Sequence, residues 1–352
     1  MVGKKQRDIR EDNKSVVIDC LLRAHMTLAD LEEKLKLSHT ALRKVMNELM
    51  ELNIVRVIEM KTGEMGRPSA VYDINPDCGF AAAVCVGENR LEIFVVDMKG
   101  FQTDKFFSET DLGSAEEIFS FTEKKISGML RHERTKDGVL STVCVSLPFG
   151  GIRDRSFSEC RTLVSEKLKN LLPSAEIVVK NNNDYWAIGE SKYGKLHHRQ
   201  ESALLCEVER SVCCSFYYGG INYCGSAPSA GSLNRLFDGD LAEEAAGRIG
   251  MNERDFCEAY RRGDDAAVQA FYGLAGPVFT EIGKIARCMC APTVLLSGFF
   301  CSLGEAFLEK ANEWIGAVYP CAKAEFSAFT DRSPSCAGAV WCASYTSLKK
   351  LL

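Results

Sequence analysis

A single acidic residue among amides is the first place in this sequence where chemistry could occur. Asp184 lies in the segment NNNDYWAIGE, residues 181–190, after the apolar run AEIVVK, which predicts a buried strand. A carboxylate at the end of such a strand can take a proton from a hydroxyl group and act as a general base. The neighbouring asparagines cannot, because an amide has no useful basicity near neutral pH.

Thiols and imidazoles could bind a metal, but their spacing does not favour a site. The 16 cysteines are scattered through apolar stretches such as VCVSL and CMCAPTVLL, where a reduced thiol behaves as a small hydrophobic group. Structural zinc needs four nitrogen or sulfur ligands, whereas CMC at 288–290 and HH at 197–198 are isolated pairs. We therefore expect the cysteines to fill the core, without disulfides and without a metal.

Polar and basic side chains share one face of a predicted helix near the N-terminus. The segment SHTALRKVMNELMELN begins at Ser38 and places its apolar residues at helical spacing. An apolar helix, SVVIDCLLRA, precedes it, and Thr27 and Asp30 open a second helix as a capping box. The polar face of the last helix carries His39, Thr40, Arg43, Lys44 and Asn47.

The segments after this helix complete the pattern of a winged helix-turn-helix. IVRVIEM and AVYDI predict two strands, and the glycines, proline and basic residues of KTGEMGRPS between them predict the wing. A three-helix packing module with solvated charges is the alternative, but the order of the four elements favours DNA binding. The residues expected to contact DNA are Ser38, His39, Thr40, Arg43 and Lys44 in the major groove, and Arg67 in the adjacent minor groove.

The distribution of charge agrees with a DNA-binding head on a larger body. The 352 residues are 46% hydrophobic and 26% charged, with a formal net charge of −5. Residues 1–70 carry 13 Lys and Arg against 11 Asp and Glu, which leaves 30 against 37 in the remainder. No apolar run approaches the roughly 20 residues of a membrane span, and the N-terminus lacks the apolar centre of a signal peptide. We expect a cytoplasmic protein that does not associate with a membrane.

From Phe80 onward, predicted strands and helices alternate. FAAAVCV, LEIFVVD and FQTDKFF predict three short strands separated by the turns GENR and MKG. A helix over AEEIFSFTEKKISGMLRHER and a buried strand over VLSTVCVSLP follow. This alternation predicts an α/β body of two similar lobes, with the cleft between them as the default ligand site.

Over essentially its whole length the chain resembles the ROK family of repressors and sugar kinases. The segments that carry the resemblance are MGRPSAVYDINPDCGFAAAVCVG, LEIFVVDMKG, NNNDYWAIGE with SKYG behind it, SAGSLNR, VLLSGFF and CAGAVWCASY. The resemblance implies an α/β fold, an N-terminal winged helix-turn-helix followed by a two-lobed actin-like ATPase body that usually forms dimers or larger homo-oligomers. The expected domains are 1–75 for the head, 76–190 for the first lobe and 191–352 for the second lobe, with its C-terminal helix packing back on the first.

The resemblance also locates the two loops that hold nucleotide phosphates in kinases of this family. The first has the pattern Asp-x-Gly-Gly-Thr, but this chain has CVGEN, with Cys85 in place of the acid and with Glu88 and Asn89 in place of glycine and threonine. A glutamate there would repel phosphates. The second loop, Gly-Thr-Gly-Ile-Gly-Ala-Gly, is replaced by ERSVCCS, residues 209–215, and side chains there block the approach of backbone amides to phosphate. We expect ERSVCCS to continue a strand and the body not to bind ATP.

The general base of the family is the third position to compare. The pattern Asn-Asp-x-Asn-Ala-Ala-Ala-x-Gly-Glu, counted back from its final Gly-Glu, puts Asn182 at the base and Asp184 two residues later. A two-residue gap would restore Asp184 as the base but would disturb the helix at the end of the segment. We favour the ungapped alignment, in which Asp184 is a helix N-cap or lines the cleft, and Tyr185 and Trp186 line a pocket.

The fourth comparison concerns sugar and zinc. Family members carry Ala-Gly-Glu-x-Gly-His, whose Glu and His contact sugar hydroxyls and whose His also binds zinc beside a cysteine cluster. This chain has AGSLNR, with Ser232 and Arg235 at those positions, and no cysteine lies between Cys224 and Cys257. Arg235 either pairs with a neighbouring carboxylate or recognises an anionic effector such as a phosphosugar. We expect no zinc.

These comparisons predict a DNA-binding transcriptional regulator, a repressor of carbohydrate-related genes, whose sugar-kinase-like body has lost catalysis. It would have no catalytic residues and no cofactor, and it would bind operator DNA as a homodimer or higher homo-oligomer. The residues expected in the effector cleft, for a sugar or phosphosugar, are Asn181, Asn182, Asp184, Ser232 and Arg235. Two alternatives remain: an active ATP-dependent sugar kinase with a DNA-binding head, and a regulator that responds to a protein partner.

Overall fold

The chain folds into a small three-stranded sheet and two five-stranded sheets, each with helices packed on it. The computed structural model describes residues 6–62, 68–87, 90–109, 114–130, 140–148, 151–152, 155–197, 199, 201–208, 212–225, 231–233, 241–329 and 334–352. None of the helices in these ranges is long and apolar enough to cross a membrane.

The N-terminal head is a winged helix-turn-helix, as predicted. Its elements in chain order are α1 (Gln6–Leu21), β1 (Met26–Thr27), α2 (Leu28–Leu35), α3 (His39–Glu51), β2 (Val55–Thr62) and β3 (Pro68–Ile74), with the strands in the order β1-β3-β2. The predicted capping box is confirmed: the Asp30 amide donates to Thr27 Oγ1 at 3.2 Å, and the Thr27 amide donates to the Asp30 carboxylate at 2.8 Å. The latter bond lowers the pKa of Asp30.

The first lobe is built on a mixed sheet that is covered on both faces. Its elements are β4 (Phe80–Val86), β5 (Arg90–Asp97), β6 (Gln102–Glu109), α4 (Ala115–Met129), β7 (Leu140–Leu147), α5 (Phe157–Leu171), β8 (Glu176–Asn181) and α6 (Asn182–Tyr193). The strand order is β6-β5-β4-β7-β8, with β4, β7 and β8 parallel and the β4-β5-β6 pairs antiparallel. β4 and β7 are buried along nearly their whole length because helices cover both faces of the sheet.

The second lobe repeats this arrangement. Its elements are β9 (Ala203–Val208), β10 (Val212–Tyr218), β11 (Ile221–Tyr223), α7 (Leu241–Arg248), α8 (Glu253–Arg261), α9 (Asp265–Cys288), β12 (Thr293–Gly298), α10 (Glu305–Val318) and β13 (Lys323–Phe326), in the strand order β11-β10-β9-β12-β13. Buried phenylalanines on α8, α9 and α10 form much of its core. The two sheets and the head confirm the predicted α/β architecture.

The C-terminal helix, α11 (Pro334–Lys350), connects all three parts. It packs against α6 and against β4 and β7 of the first lobe, and Leu348 near its end joins the apolar core of the head. The Tyr345 hydroxyl donates to Asp19 of α1 at 3.4 Å. The predicted boundary at residue 190 falls inside α6, and the domain limits remain predictions.

Two glycines allow α6 and α11 to cross closely. A Cβ atom added at Gly338 would lie 1.7 Å from the carbonyl oxygen of Tyr185, and one added at Gly189 would lie 3.1 Å from the Gly338 amide nitrogen. Real Cβ atoms do not approach backbone to 1.7 Å, so any larger residue at position 338 must push the helices apart.

Candidate nucleic-acid interface and inter-lobe cleft

One face of α3 is exposed and carries four of the predicted DNA-contact residues, His39, Thr40, Arg43 and Lys44. Its opposite face is buried through Leu42, Val45, Met46 and Leu49, which fixes the direction of the polar face. A groove of about 550 Å³ runs along the exposed side. The residues that line this groove are His39, Thr40, Arg43, Lys44, Asn47, Glu48 and Glu51.

Among the described residues, two acidic groups around this face pair with cations other than Arg43 and Lys44. Glu48 pairs with Lys14 of α1 at 3.3 Å, and His39 contacts the carboxylate of Glu32 on α2. In the part of the chain that the structure describes, neither Arg43 nor Lys44 forms an ion pair. Both are exposed, so they can approach phosphate without first breaking an internal contact.

The other two predicted DNA contacts are Ser38 and Arg67. Ser38 is the N-cap of α3, and its Oγ accepts from the Ala41 amide at 3.3 Å, which leaves its hydroxyl hydrogen available to another acceptor. The hairpin of β2 and β3 is paired as far as Thr62 and Pro68. Arg67, at the predicted wing tip, lies outside the described residues.

The structure places the amides of NNNDYWAIGE at the start of α6, where they support the helix. Asn181 is the N-cap of α6, and its Oδ1 accepts from the Asp184 amide at 2.8 Å. The prediction that Asp184 could be the N-cap is therefore wrong, because the helix begins three residues earlier than that reading requires. Asn182, at the position of the kinase base, is 2% exposed and accepts a hydrogen bond from Ser146 on β7 at 2.6 Å.

Asp184 belongs to a polar network that joins the two lobes. One of its carboxylate oxygens accepts from Asn181 Nδ2 at 3.1 Å, and the other accepts from Asn222 Nδ2 of β11 at 3.1 Å. The Cys224 thiol lies 3.5 Å from the second oxygen. Burial, together with the charge of Asp184, raises the pKa of Cys224 to about 12, so this sulfur remains a neutral thiol.

The rest of the segment is structural. Tyr185 and Trp186 are fully buried, so the prediction that they line a pocket is wrong. The buried carboxylate of Glu190 accepts from Trp186 Nε1 at 3.1 Å, from Ser327 Oγ at 2.6 Å and from the Lys195 amide at 2.6 Å. These bonds tie α6 to the segment after β13 and give Glu190 a packing role.

The positions of the two phosphate loops contain strand residues where the structure describes them. Cys85 is buried within β4, opposite Glu92 of β5, and Glu88 and Asn89 lie outside the described residues. In ERSVCCS, residues 212–215 belong to β10 and pair in register with β9, so this part continues a strand as predicted. Residues 209–211 lie outside the described part.

The predicted sugar position is only partly described. Ser232 forms an isolated bridge with Cys213 beside β10, and Arg235 lies outside the described residues. Eight of the 16 cysteines are buried, which agrees with their predicted packing role. Within the described ranges, no group of three or more His, Cys, Asp or Glu side chains is arranged to hold a metal ion.

Comparisons with known proteins place this fold in a defined class. Residues 6–80 match the family model of the TFIIE alpha subunit. A ROK family transcriptional regulator, described as a homologue of the E. coli MLC protein, superposes with a TM-score of 0.75 at 14% identity, covering 97% of this chain and 98% of its own. The curated proteins give no significant sequence match.

Kinases of the same class superpose on the body. A ROK family glucokinase from Streptomyces griseus, solved with glucose and AMPPNP, gives a TM-score of 0.57 at 17% identity, with coverage of 75% of this chain and 99% of its own. The ROK hexokinase from Thermus thermophilus gives 0.58 at 15% identity, with coverage of 75% and 97%. The chain therefore has the ROK fold, a winged helix-turn-helix on an actin-like sugar-kinase body, as the sequence resemblance implied.

Several residues of the cleft were not found by sequence reasoning. Asn222 and Cys224 reach Asp184 across 38 and 40 residues of chain, and Ser146 reaches Asn182 across 36. The sequence spacing of these residues does not predict the contacts. They depend on the pairing of β7 with β8 within the first lobe and on the position of β11 beside α6.

Proposed function

We propose that the protein is a DNA-binding transcriptional regulator of carbohydrate-related genes whose kinase-like body does not phosphorylate. The observation that carries the proposal is the exposed face of α3, where Arg43 and Lys44 stand beside a groove with no acidic partner among the described residues. In a winged helix-turn-helix this helix enters the major groove, and cations on it neutralise phosphates.

Three positions in the body support the proposal that it does not catalyse phosphoryl transfer. Phosphoryl transfer needs backbone amides around the phosphates and a base for the attacking hydroxyl. At the base position, Asn182 is a buried amide already bonded to Ser146, and at the second phosphate loop Val212 to Ser215 are strand residues. Cys85, in place of the acid of the first loop, is also buried.

The share of the chain that each solved structure covers also supports a regulator. The ROK regulator covers nearly all of this chain, whereas the glucokinase covers 75% of it and 99% of itself. The quarter of the chain that the glucokinase leaves uncovered is about the length of the head. The regulator therefore matches a part of this chain that the glucokinase does not cover.

The proposed mechanism is a shift between two arrangements of the body. A homodimer presents two recognition helices, and a sugar or phosphosugar bound in the cleft favours one separation of those helices over the other. Asp184 is the cleft residue best placed to meet such an effector, because it is partly exposed while Asn181 and Asn182 are buried. Ser232 and Arg235 remain proposed contacts.

The proposal is tested by selecting DNA fragments from a random pool and measuring their affinity by fluorescence anisotropy. In R43A/K44A, the loss of two DNA contacts should weaken binding roughly 10- to 100-fold at moderate salt. The matched control is R261A/R262A, which removes the same charge from exposed positions at the end of α8. Equal affinity of R43A/K44A and the wild type would contradict the proposal.

The second candidate is a sugar kinase with a DNA-binding head, favoured by the superposition on a glucokinase solved with glucose and AMPPNP. Isothermal titration with ATP and Mg²⁺, with and without sugars, separates the two. We expect no heat of ATP binding, because strand residues replace a phosphate-binding loop. Tight ATP binding with sugar-dependent release of ADP would establish the kinase instead.

A further inference from the structure

Three pairs of cysteines contact each other in the described part of the chain. Cys206 and Cys214 face each other across β9 and β10 with their sulfurs 3.2 Å apart. Cys144 of β7 and Cys342 of α11 pack in one apolar cluster of the first lobe, and Cys85 of β4 and Cys336 of α11 belong to the same cluster. Five of these six residues are buried, and Cys342 is the partly exposed one.

Cys342 lies in a setting that favours a thiolate. Its sulfur accepts a hydrogen bond from the Cys144 thiol, and the ammonium groups of Lys180 on β8 and Lys192 on α6 are its nearby cations. Lys192 is held in place over the ring of Trp341, with its Nζ 4.0 Å from the ring centroid. The Cys144 bond and the two lysines, against the opposing effect of burial, lower the pKa of Cys342 to about 7.

The sulfurs of Cys206 and Cys214 are close together, but this pair lacks the exposure expected of a reactive pair. Cys206 is fully buried, and that burial raises its pKa well above the ordinary value for a thiol. The thiolate is the nucleophile in reactions of cysteine, so this pair should react slowly although its sulfurs are close together. Exposure and nearby cations distinguish Cys342.

We propose that Cys342 and Cys144 form a peroxide-sensitive dithiol between β7 and α11, the helix that connects the first lobe to the head. The Cys342 thiolate attacks one oxygen of hydrogen peroxide, the O–O bond breaks, and the departing hydroxide takes a proton to become water. The sulfur of Cys144 then attacks the resulting sulfenic acid, the S–O bond breaks, and a second water leaves. Two thiols and one peroxide thus give one disulfide and two waters, with the sulfurs supplying both electrons.

The test is a peptide map of the full-length protein after treatment with one equivalent of hydrogen peroxide and alkylation of the remaining thiols. We expect a cross-linked peptide containing Cys342 and Cys144, formed before any link between Cys206 and Cys214. A map in which Cys342 stays alkylated while the exposed Cys288, Cys290 or Cys321 is oxidised would overturn the proposal.

Variants and a pH profile add readouts that a merely structural cysteine would not give. C342S should abolish the cross-link, and C321S, the exposed-thiol control, should leave it unchanged. In the folded protein the rate of alkylation of Cys342 should rise through about pH 7, where its thiolate forms. In the urea-unfolded chain the midpoint should return to about 8.5. A folded midpoint equal to the unfolded one would also overturn the proposal.

The position of the pair links it to the head, and this consequence rests on the proposed function. α11 ends among the core residues of the head through Leu348. Oxidation of the wild type should therefore change operator affinity several-fold, and oxidation of C342S should not. A cross-link without any change in affinity would exclude the link to the head. Failure of the reduced wild type to bind selected DNA would refute the proposed function, and the peptide map would still decide the chemistry.

Discussion

At the scale of single residues, the side chains compared with the kinase base are already hydrogen-bonded within the protein. The Oδ1 atom of Asn182 accepts from Ser146, and both carboxylate oxygens of Asp184 accept from asparagine amides. These bonds fix the orientation of both side chains and give them a structural role, while each carboxylate oxygen of Asp184 can still accept a further bond. These contacts explain in physical terms why a lone acid in a polar segment need not be a base.

The Ser146 contact gives a prediction at this scale. S146A removes the donor to the buried Asn182 amide, and an unsatisfied buried acceptor costs about 1–3 kcal/mol. We expect the free energy of unfolding, measured by urea denaturation, to fall by that amount. S158A, on the exposed side of α5, is the control and should change it by less than about 0.5 kcal/mol. Equal stability of S146A and S158A would show that the bond is not formed.

Local signals predicted individual elements well. Ser38 as the start of α3, the capping box at Thr27, and strands such as FAAAVCV all depend on residues a few positions apart. The start of α6 was missed, because three consecutive asparagines favour caps and turns about equally and only the fold selects Asn181. The burial of Trp186 could not be predicted either, since it depends on Glu190 and on Ser327, 141 residues away.

At the scale of elements, the crossing of α6 and α11 is the contact most sensitive to a small change. G338A places a methyl group against the Tyr185 carbonyl, so it should separate the helices and destabilise the protein by about 1–3 kcal/mol or more. G316A is the matched control: it adds the same methyl group in α10, where nothing lies within 4 Å.

In a helix interior, exchange of glycine for alanine without a clash should stabilise by up to about 1 kcal/mol. The two variants should therefore shift the urea midpoint in opposite directions. A midpoint for G338A at or above that of the wild type would mean that the helices do not cross as closely as described.

At the scale of the whole molecule, α11 and a group of polar and apolar contacts around Lys99 hold the head against the first lobe. Lys99 in the turn after β5 pairs with Asp73 of β3 at 2.6 Å, and Met98 beside it joins the core of the head. Because α11 contacts both α6 and the core of the head, it is the route that we propose for coupling the cleft to the recognition helix. The sequence resemblance predicted the parts of this assembly, but their contacts connect residues up to 326 positions apart and emerge only from the folded chain.

The salt dependence of DNA binding is the most direct test of the central claim, that α3 of this protein binds DNA. Each cation that neutralises a phosphate releases a counterion, so affinity falls with salt on a logarithmic plot. If Arg43 and Lys44 both contact phosphates, the slope for R43A/K44A should be shallower than that of the wild type by about 2, and the slope for R261A/R262A should be unchanged. Three parallel slopes would contradict the claim.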